Sequence, residues 1–464
     1  MYGLLYKRLI YPAYHTLIQS GANAANRELA SHDQLSADEL RRVCAVRMAQ
    51  LLEHAQAHVP FYSSRLSDEA ITAVGEGDYT ALQELPVMTK AVINAESKRL
   101  ISASLENNRL DPNSTSGSTG SPLKFYTDKR SKAFRKATVA RNRRWIGIDT
   151  GDVVAHLWGS PIDHRKASSL RGKLHGLITR ERFLSAYQMS DADLALYVSL
   201  INGDKAKLLI GYPSALQSFG EYCVRNGLRM PSLKAIVCSA EALYAPQREA
   251  IESLFGIPVF NRYGCREVGD IAHETPFQPG MVVNSDRIYL EIVDENGQAV
   301  APGQTGNLLV TDLDNYGMPL IRYDIGDRGS WATSQSGRLP YPVLETVEGR
   351  SLDVVVCPNG NRIGGTFWTI LLRNRPGLRQ FRVIQTAPAA LTVEFLRDPA
   401  VDRPDFDYFT AKIHETCGEE MSVQFEEVDA IDVTPGGKAR LVESRLEQQA
   451  PERESVERRV AGEC

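Results

Sequence analysis

A chain of 464 residues is longer than one hydrophobic core ordinarily serves, so two or three domains are expected. With 43% hydrophobic and 24% charged residues it has the balance of a globular protein, and no apolar run reaches the length of a membrane span. Lys and Arg total 53 against 57 Asp and Glu, a net charge of -4, which excludes a dominant nucleic-acid surface and means that any polyanionic ligand must be met locally.

The first residues, Met1 to Pro12, carry a short apolar stretch broken by Lys7 and Arg8. That pattern is wrong for a signal peptide, although the segment could touch a membrane surface. Ser36 followed by Glu39 forms a capping-box signature, and Leu40, Val43, Cys44, Met48, Leu51, Leu52 and Ala55 then recur at helical spacing. A long amphipathic helix is expected there, capping the main domain. Pro86 resets Leu85 to Lys90 into extended structure.

Asn113 to Lys124 is a run of small residues, hydroxyls and glycines closed by a lysine. Such a stretch can present backbone N–H groups to an oxyanion, and its composition also fits a flexible linker. Its flanks favour the phosphate cradle, because Lys124 to Thr127 reads as a strand and Ser131 to Trp145 as a helix. No Gly-Lys-Ser/Thr follows the glycines, so it is not a Walker A loop.

From Asp152 to Val259 short buried strands alternate with helices. Strands are expected at Val153 to Trp158, Ala206 to Gly211, Ala235 to Cys238 and Val259-Phe260. Helices are expected at Leu194 to Asn202, Ala215 to Gly227 and Ala245 to Phe255. This alternation predicts a mostly parallel sheet covered by helices, with ligands bound beyond the carboxyl ends of the strands. Two polar turns fall at such ends, Ser239-Ala240-Glu241 and Asn261 to Glu267. From Met281 hairpins take over, with strands Ile288 to Val293 and Leu308 to Thr311 around an Asp-Glu-Asn-Gly turn. After Glu348 a small α+β unit begins, and from about Glu447 a charged tail is expected to be disordered.

The seven cysteines are odd in number, scattered and free of any C-x-x-C pair, which suits a reducing cytoplasm rather than a disulfide framework. Cys265 and His273 supply two metal ligands where structural zinc takes four.

Singly these motifs say little; their order says more. Ser116 to Lys124, then Tyr263-Gly264-Cys265-Arg266-Glu267, Gly326-Asp327, Gly349-Arg350-Ser351-Leu352-Asp353 and Gly436-Gly437-Lys438 resemble the motif series of the adenylate-forming superfamily (acyl-CoA ligases, peptide-synthetase adenylation domains, luciferases). Leu85 to Lys90, Asn-Arg-Tyr-Gly-x-x-Glu and Gly-Arg-x-x-Asp-Val-Val resemble its phenylacetate-CoA ligase and capsule-biosynthesis (CapK-like) branch.

The resemblance implies an α/β fold: a large N-terminal domain with helix-covered, mostly parallel sheets plus an antiparallel β-subdomain, and a small mobile C-terminal α+β domain. The divisions expected are a helical segment over 1–90, an AMP-binding domain over 91–349, the mobile domain over 350–446 and the tail over 447–464. It implies ATP-dependent activation of a carboxylic acid as an acyl-adenylate, with transfer to CoA; the alternative is transfer to an amine or hydroxyl acceptor, as in capsular polysaccharide modification. A nucleotide-binding protein without turnover is the competing reading from another class. A homodimer is among the assemblies allowed.

Residue by residue, the resemblance implies that Thr115, Ser116, Gly117, Ser118, Thr119, Gly120 and Lys124 hold the β- and γ-phosphates, and that Glu267 holds Mg²⁺. Tyr263, beside Gly264, would pack against adenine, with Glu241 near the adenine and acyl pockets. Asp327 would accept both ribose hydroxyls, Arg350 would reach the ribose or α-phosphate, and Lys438 would stabilise the pentavalent α-phosphorus. Three positions depart from the family pattern. Arg266 stands where Thr is usual, either binding a phosphate directly or replacing a hydroxyl ligand at steric cost, and Leu352 replaces a hinge Asp or Lys. Gly360 to Trp368 lacks the usual proline near the pantetheine path, which weighs against CoA.

Overall fold

The computed structural model describes residues 6–446 except 18–20, 106–109, 115–122, 159–175, 177, 187–188, 335–336, 349–354, 360–361, 364–367, 369–370, 373–376, 400, 402 and 432–440. It divides into two compact units, with the boundary between Glu348 and Gly349.

In the first unit, helix α1 (Ala22–His32) precedes α2 (Ala37–His58), whose Ser36 and Glu39 form the reciprocal capping box that their spacing predicts. Strands β1 (Asp111–Ser114) and β2 (Lys124–Thr127) pair as an antiparallel hairpin, with Ser114 opposite Lys124. Asp128 then caps α3 (Lys129–Trp145), and its other carboxylate oxygen accepts the backbone N–H groups of Tyr316 and Gly317 at 2.8 and 2.9 Å.

A mixed sheet follows. Its parallel part holds β3 (Val154–Trp158), β4 (Glu181–Ser185), β5 (Leu208–Gly211), β6 (Ala235–Ser239) and β7 (Val259–Cys265) in the spatial order β4-β3-β5-β6-β7. Helices α4 (Asp191–Asp204), α5 (Pro213–Arg225) and α6 (Ala245–Phe255) make the crossovers. Helix α6 stops where sequence says it should, at Gly256 in the left-handed conformation with φ 67°.

The antiparallel part holds β8 (Gly269–Thr275), β9 (Gln278–Val283), β10 (Ile288–Val293), β11 (Gly306–Asp312), β12 (Tyr323–Trp331) and β13 (Val343–Glu348). Rather than forming a separate sheet, these strands continue the parallel ones, giving eleven strands among the described residues. The join is β7, which pairs parallel to β6 on one side and antiparallel to β8 on the other. The motif read as a polar turn after Val259-Phe260 is therefore mostly strand: β7 runs on to Cys265, and the turn is confined to residues 266–268.

Apolar side chains of α2, including Met48, Leu51 and Leu52, share one core with Val268, Val283 and Leu308 of the antiparallel part. Leu209, Ile236 and Cys238 line the face of the parallel part that meets α4 and α5, through Leu194, Val198, Leu216 and Phe219. Ile146, Val154, Ile210 and Val237 form a smaller cluster on the other face.

The second unit is α+β. It contains β14 (Val355–Val356), β15 (Arg362–Ile363), β16 (Leu378–Ala387), β17 (Ala390–Arg397), α7 (Phe406–Cys417), β18 (Ser422–Glu427) and β19 (Val442–Ser444). Four of these strands form a sheet in the order β18-β17-β16-β19, and Phe381, Val393, Phe395, Phe409 and Ile413 fill its core. No helix among the described residues is long and apolar enough to cross a membrane.

Candidate functional site

The strand that joins the two halves of the sheet also carries the strongest motif. Gly264 sits at a register shift of the β7–β8 pairing, where any Cβ would collide with the carbonyl oxygen of Gly269. This close approach explains why glycine follows Tyr263. Beyond it, the turn carrying Arg266 and Glu267 is clamped from outside. Arg135 of α3 donates to the carbonyl oxygens of Arg266, at 3.0 Å, and of Glu267, while Arg287 donates to that of Val268 at 2.9 Å. Asp312 at the end of β11 ties the clamp together, lying 3.2 Å from Arg135 and 3.5 Å from Arg287.

Glu267 is thereby held as a buried carboxylate at a hairpin tip, and the phenol of Tyr323, itself fully buried, donates to its Oε1 at 2.8 Å. Tyr323 opens β12 next to the extended segment predicted at Leu85 to Lys90: the N–H of Met88 bonds the Arg322 carbonyl at 3.0 Å, and the N–H of Asp324 bonds the Met88 carbonyl at 3.1 Å. Burial, and then the charge of Glu267, push the thiol of Cys265 well above its ordinary range. Cys265 is thus an inert neighbour rather than a nucleophile.

Asp327 is presented by a bulge. Between Asn307–Arg328 and Leu309–Asp324 the β11–β12 register shifts, so Leu308 faces three residues of β12, Ile325 to Asp327. Gly326 adopts φ 79° and its N–H bonds the Asp324 carboxylate at 2.8 Å. Tyr263 reaches this bulge, and its phenol donates to Oδ2 of Asp327 at 2.8 Å. The residues singled out as an adenine platform and a ribose acceptor are therefore in direct contact.

Glu241 follows Ala240, which adopts φ 70° at the end of β6, a conformation that non-glycine residues hold at a cost and that recurs at functional turns. Glu241 is half-buried. Lys124 is exposed at the start of β2. Arg266 is exposed beside Glu267. Thr115, Ser116, Gly117, Ser118, Thr119, Gly120, Arg350, Leu352, Lys438 and the charged tail lie outside the described residues, as does most of Gly360 to Trp368.

His273 does not join Cys265 in a metal site. It is buried opposite Arg262, its Nδ1 lies 2.6 Å from the Glu274 carbonyl oxygen, and burial lowers its pKa to about 4. No group of three or more His, Cys, Asp or Glu among the described residues is arranged to hold a metal by itself. A lone, well-anchored carboxylate such as Glu267 fits Mg²⁺ nonetheless, because that ion takes one or two carboxylates together with substrate phosphates.

Sequence reasoning missed Arg135, Arg287, Asp312 and Tyr323. Tyr323 stands three residues before the Gly326-Asp327 motif without being part of it, and nothing local distinguishes Arg135 from the other basic residues of α3.

Comparisons with known proteins bear on the chain as a whole. Residues 355–445 match the family model of the CapK C-terminal domain. Phenylacetate-coenzyme A ligase of Aromatoleum evansii is 26% identical over 339 residues, covering 71% of this chain and 74% of the relative. Among solved structures, 2-hydroxyisobutyryl-CoA ligase in complex with R3-HIB-AMP shares the fold with a TM-score of 0.71 at 20% identity, covering 90% of this chain and 92% of that one. Amide bond synthetase McbA from Marinactinospora thermotolerans shares it with a TM-score of 0.53 at 17% identity, covering 72% and 68%. Sequence likeness and fold together support an enzyme of the adenylate-forming acid–CoA ligase type, similar to the phenylacetate-coenzyme A ligases and matching the CapK C-terminal domain over residues 355–445.

Proposed function

We propose that the protein activates a carboxylic acid with ATP and passes the acyl group to CoA. In the first half-reaction a carboxylate oxygen of the acid attacks the α-phosphorus; the bond to the bridging oxygen breaks, and acyl-adenylate and pyrophosphate form. In the second, the CoA sulfur attacks the acyl carbonyl carbon and AMP leaves with the bonding electron pair. The observation that carries this reading is the meeting of motifs 64 positions apart: Tyr263, on the strand that leads into the turn carrying Glu267, donates to Asp327 of β12.

In this reading Tyr263 offers its ring to adenine, while Asp327 takes the ribose hydroxyls, since one carboxylate has the acceptor capacity for two O–H donors. Residues 115–120, Lys124 and Arg266 bind phosphate oxygens, and Glu241 borders the adenine. Glu267 holds Mg²⁺, which neutralises charge on the phosphates. Arg350 contacts the ribose or α-phosphate. Lys438 stabilises the pentavalent phosphorus; at ~4 Å and an effective dielectric near 20 such a charge pair is worth about 4 kcal/mol, roughly a thousandfold in rate.

Exchange of labelled pyrophosphate into ATP across an acid panel tests the first half-reaction. Exchange that depends on an added acid is the expected result, and ATP binding without exchange for any acid would leave only a nucleotide-binding protein. The departure of Gly360 to Trp368 from the usual proline-containing sequence leaves a second reading of the acceptor, an amine or hydroxyl. Product analysis with CoA and with an amino sugar separates the two: a thioester supports the first, and an amide or ester formed without CoA supports the second.

A further inference from the structure

The carboxyl ends of the parallel strands gather a cluster that the nucleotide chemistry above does not use. Trp158 ends β3, Tyr212 directly follows β5, Ser239 ends β6, and Arg262 precedes Tyr263 on β7, where the register sets it opposite Ser239. The rings of Trp158 and Tyr212 lie 4.7 Å apart, and the Arg262 guanidinium sits 5.9 Å over the Trp158 ring. Its Nε donates to Ser239 Oγ at 3.1 Å. The nearest acid, Asp270, lies 3.8 Å from Nη1, outside hydrogen-bond reach. A cavity of about 10 Å³, room for a single water, opens beside Arg262 and is lined also by Asn142, Arg143, Asp270 and His273.

The Arg262 side chain is only 21% exposed. Asp270 balances the charge of this guanidinium as an ion pair, but beyond the Nε bond to a serine its fork of Nη donors is met by no hydrogen bond among the described residues, and burying such donors is costly unless they are answered. Arginine presents a planar fork that matches carboxylate and other oxygen acceptors, and it stacks on aromatic faces. Ligands of such sheets bind beyond the carboxyl ends of their strands. Arg262 directly precedes Tyr263 near the carboxyl end of β7, so an acyl group joined to a nucleotide at Tyr263 would enter the sheet at the strand end that carries Arg262.

We propose that Arg262 reads the distal end of the acyl substrate, and that the preferred acid is aromatic or similarly flat, with a second, oxygen-bearing polar group remote from the carboxylate that is activated. The flat body lies against Trp158 and the distal oxygen accepts from the guanidinium. An acid without that oxygen leaves the fork unanswered in a partly desolvated site, and sites built around a donor discriminate strongly against such analogues. Arg262 is thus a specificity-determining residue. This inference rests on the adenylation reading above.

Pyrophosphate exchange with phenylacetate, 4-hydroxyphenylacetate and 4-carboxyphenylacetate tests it. In the wild-type protein kcat/KM for at least one of the two oxygen-bearing acids should exceed that for phenylacetate by about tenfold or more. Arg262→Met should bring the ratio close to one, and Arg262→Lys, which keeps the charge but not the fork, should fall between. If phenylacetate is used as well as or better than both others, the inference is overturned while the adenylation reading stands. If no acid of a broad panel supports exchange, both are overturned. Should Arg262→Met fail to fold by thermal melting, the wild-type ratio alone decides.

Discussion

The first unit holds two clusters of charged groups, one around Arg141 and one around Glu267 and Asp327, built on opposite plans. Arg141 is fully buried, and four of its five N–H donors are bonded. Nη1 donates to Asp286 at 2.6 Å and to the Tyr341 phenol at 2.8 Å, and Nη2 to Asn284 and Asp286, both at 2.9 Å. His32 adds Nδ1 at 2.9 Å from Asp286. Burial works to raise the Asp286 carboxyl, yet Arg141 and His32 override it and hold the group well below the usual carboxylate range. Glu267 and Asp327 are instead fixed by phenols, Tyr323 and Tyr263, each at 2.8 Å. A cation cancels the charge it binds, whereas a phenol orients a carboxylate and leaves most of its charge for something else. On the function proposed above, the first cluster is scaffold and the second is site.

Breaking the scaffold cluster should have the largest effect. Arg141→Ala leaves Asp286 buried without its cation, and loss of one partner from such a pair costs about 3–5 kcal/mol. Urea unfolding followed by intrinsic fluorescence measures it. Specific activity of the remaining folded protein should be unchanged, because Arg141 bonds none of the site residues. A stability loss under 1 kcal/mol would mean that the cluster is not scaffold.

Glu267→Gln makes the reverse test. The amide oxygen still accepts from Tyr323, so the fold should hold to within about 1 kcal/mol. The negative charge is gone, however, and pyrophosphate exchange should fall by about a hundredfold or more, since even outer partners of metal ligands are worth 10–100-fold. The Mg²⁺ concentration for half-maximal exchange should rise with it. A variant that unfolds but exchanges normally when folded would move Glu267 into the scaffold class.

These two clusters also mark how far sequence could be read. Gly264, Gly326 and the capping box of α2 were legible because each answers a local demand: a close backbone approach, a positive φ, an unpaired helix N-terminus. Two of the five motifs, Tyr263 to Glu267 and Gly326-Asp327, lie among the described residues, and they do come together. The Arg135 clamp was not legible, because its contact with the Arg266 carbonyl spans 131 positions and leaves no periodicity in either segment. Strand β4, Glu-Arg-Phe-Leu-Ser, has two polar residues at its start and no apolar run, so nothing announced it. The extension of β7 was hidden by its polar residues, Asn261 and Arg262, which break the apolar run that announces a buried strand.

The smallest effect tests the finest part of the contrast. Tyr263→Phe keeps the ring that is proposed to meet adenine and removes only the donor to Asp327, a bond between a neutral phenol and a partly exposed carboxylate. Its net worth is on the order of 1 kcal/mol. If that bond serves to hold Asp327 in place for a ribose, the loss should appear as a rise of about fivefold in KM for ATP, with kcat and the unfolding midpoint little changed. If it serves the fold, the same amount should appear in urea unfolding and KM should stay put. Because the bulge at Ile325 to Asp327 already sets the backbone through the Asp324–Gly326 hydrogen bond at 2.8 Å, the fold has little need of the phenol. The shift is therefore expected in KM.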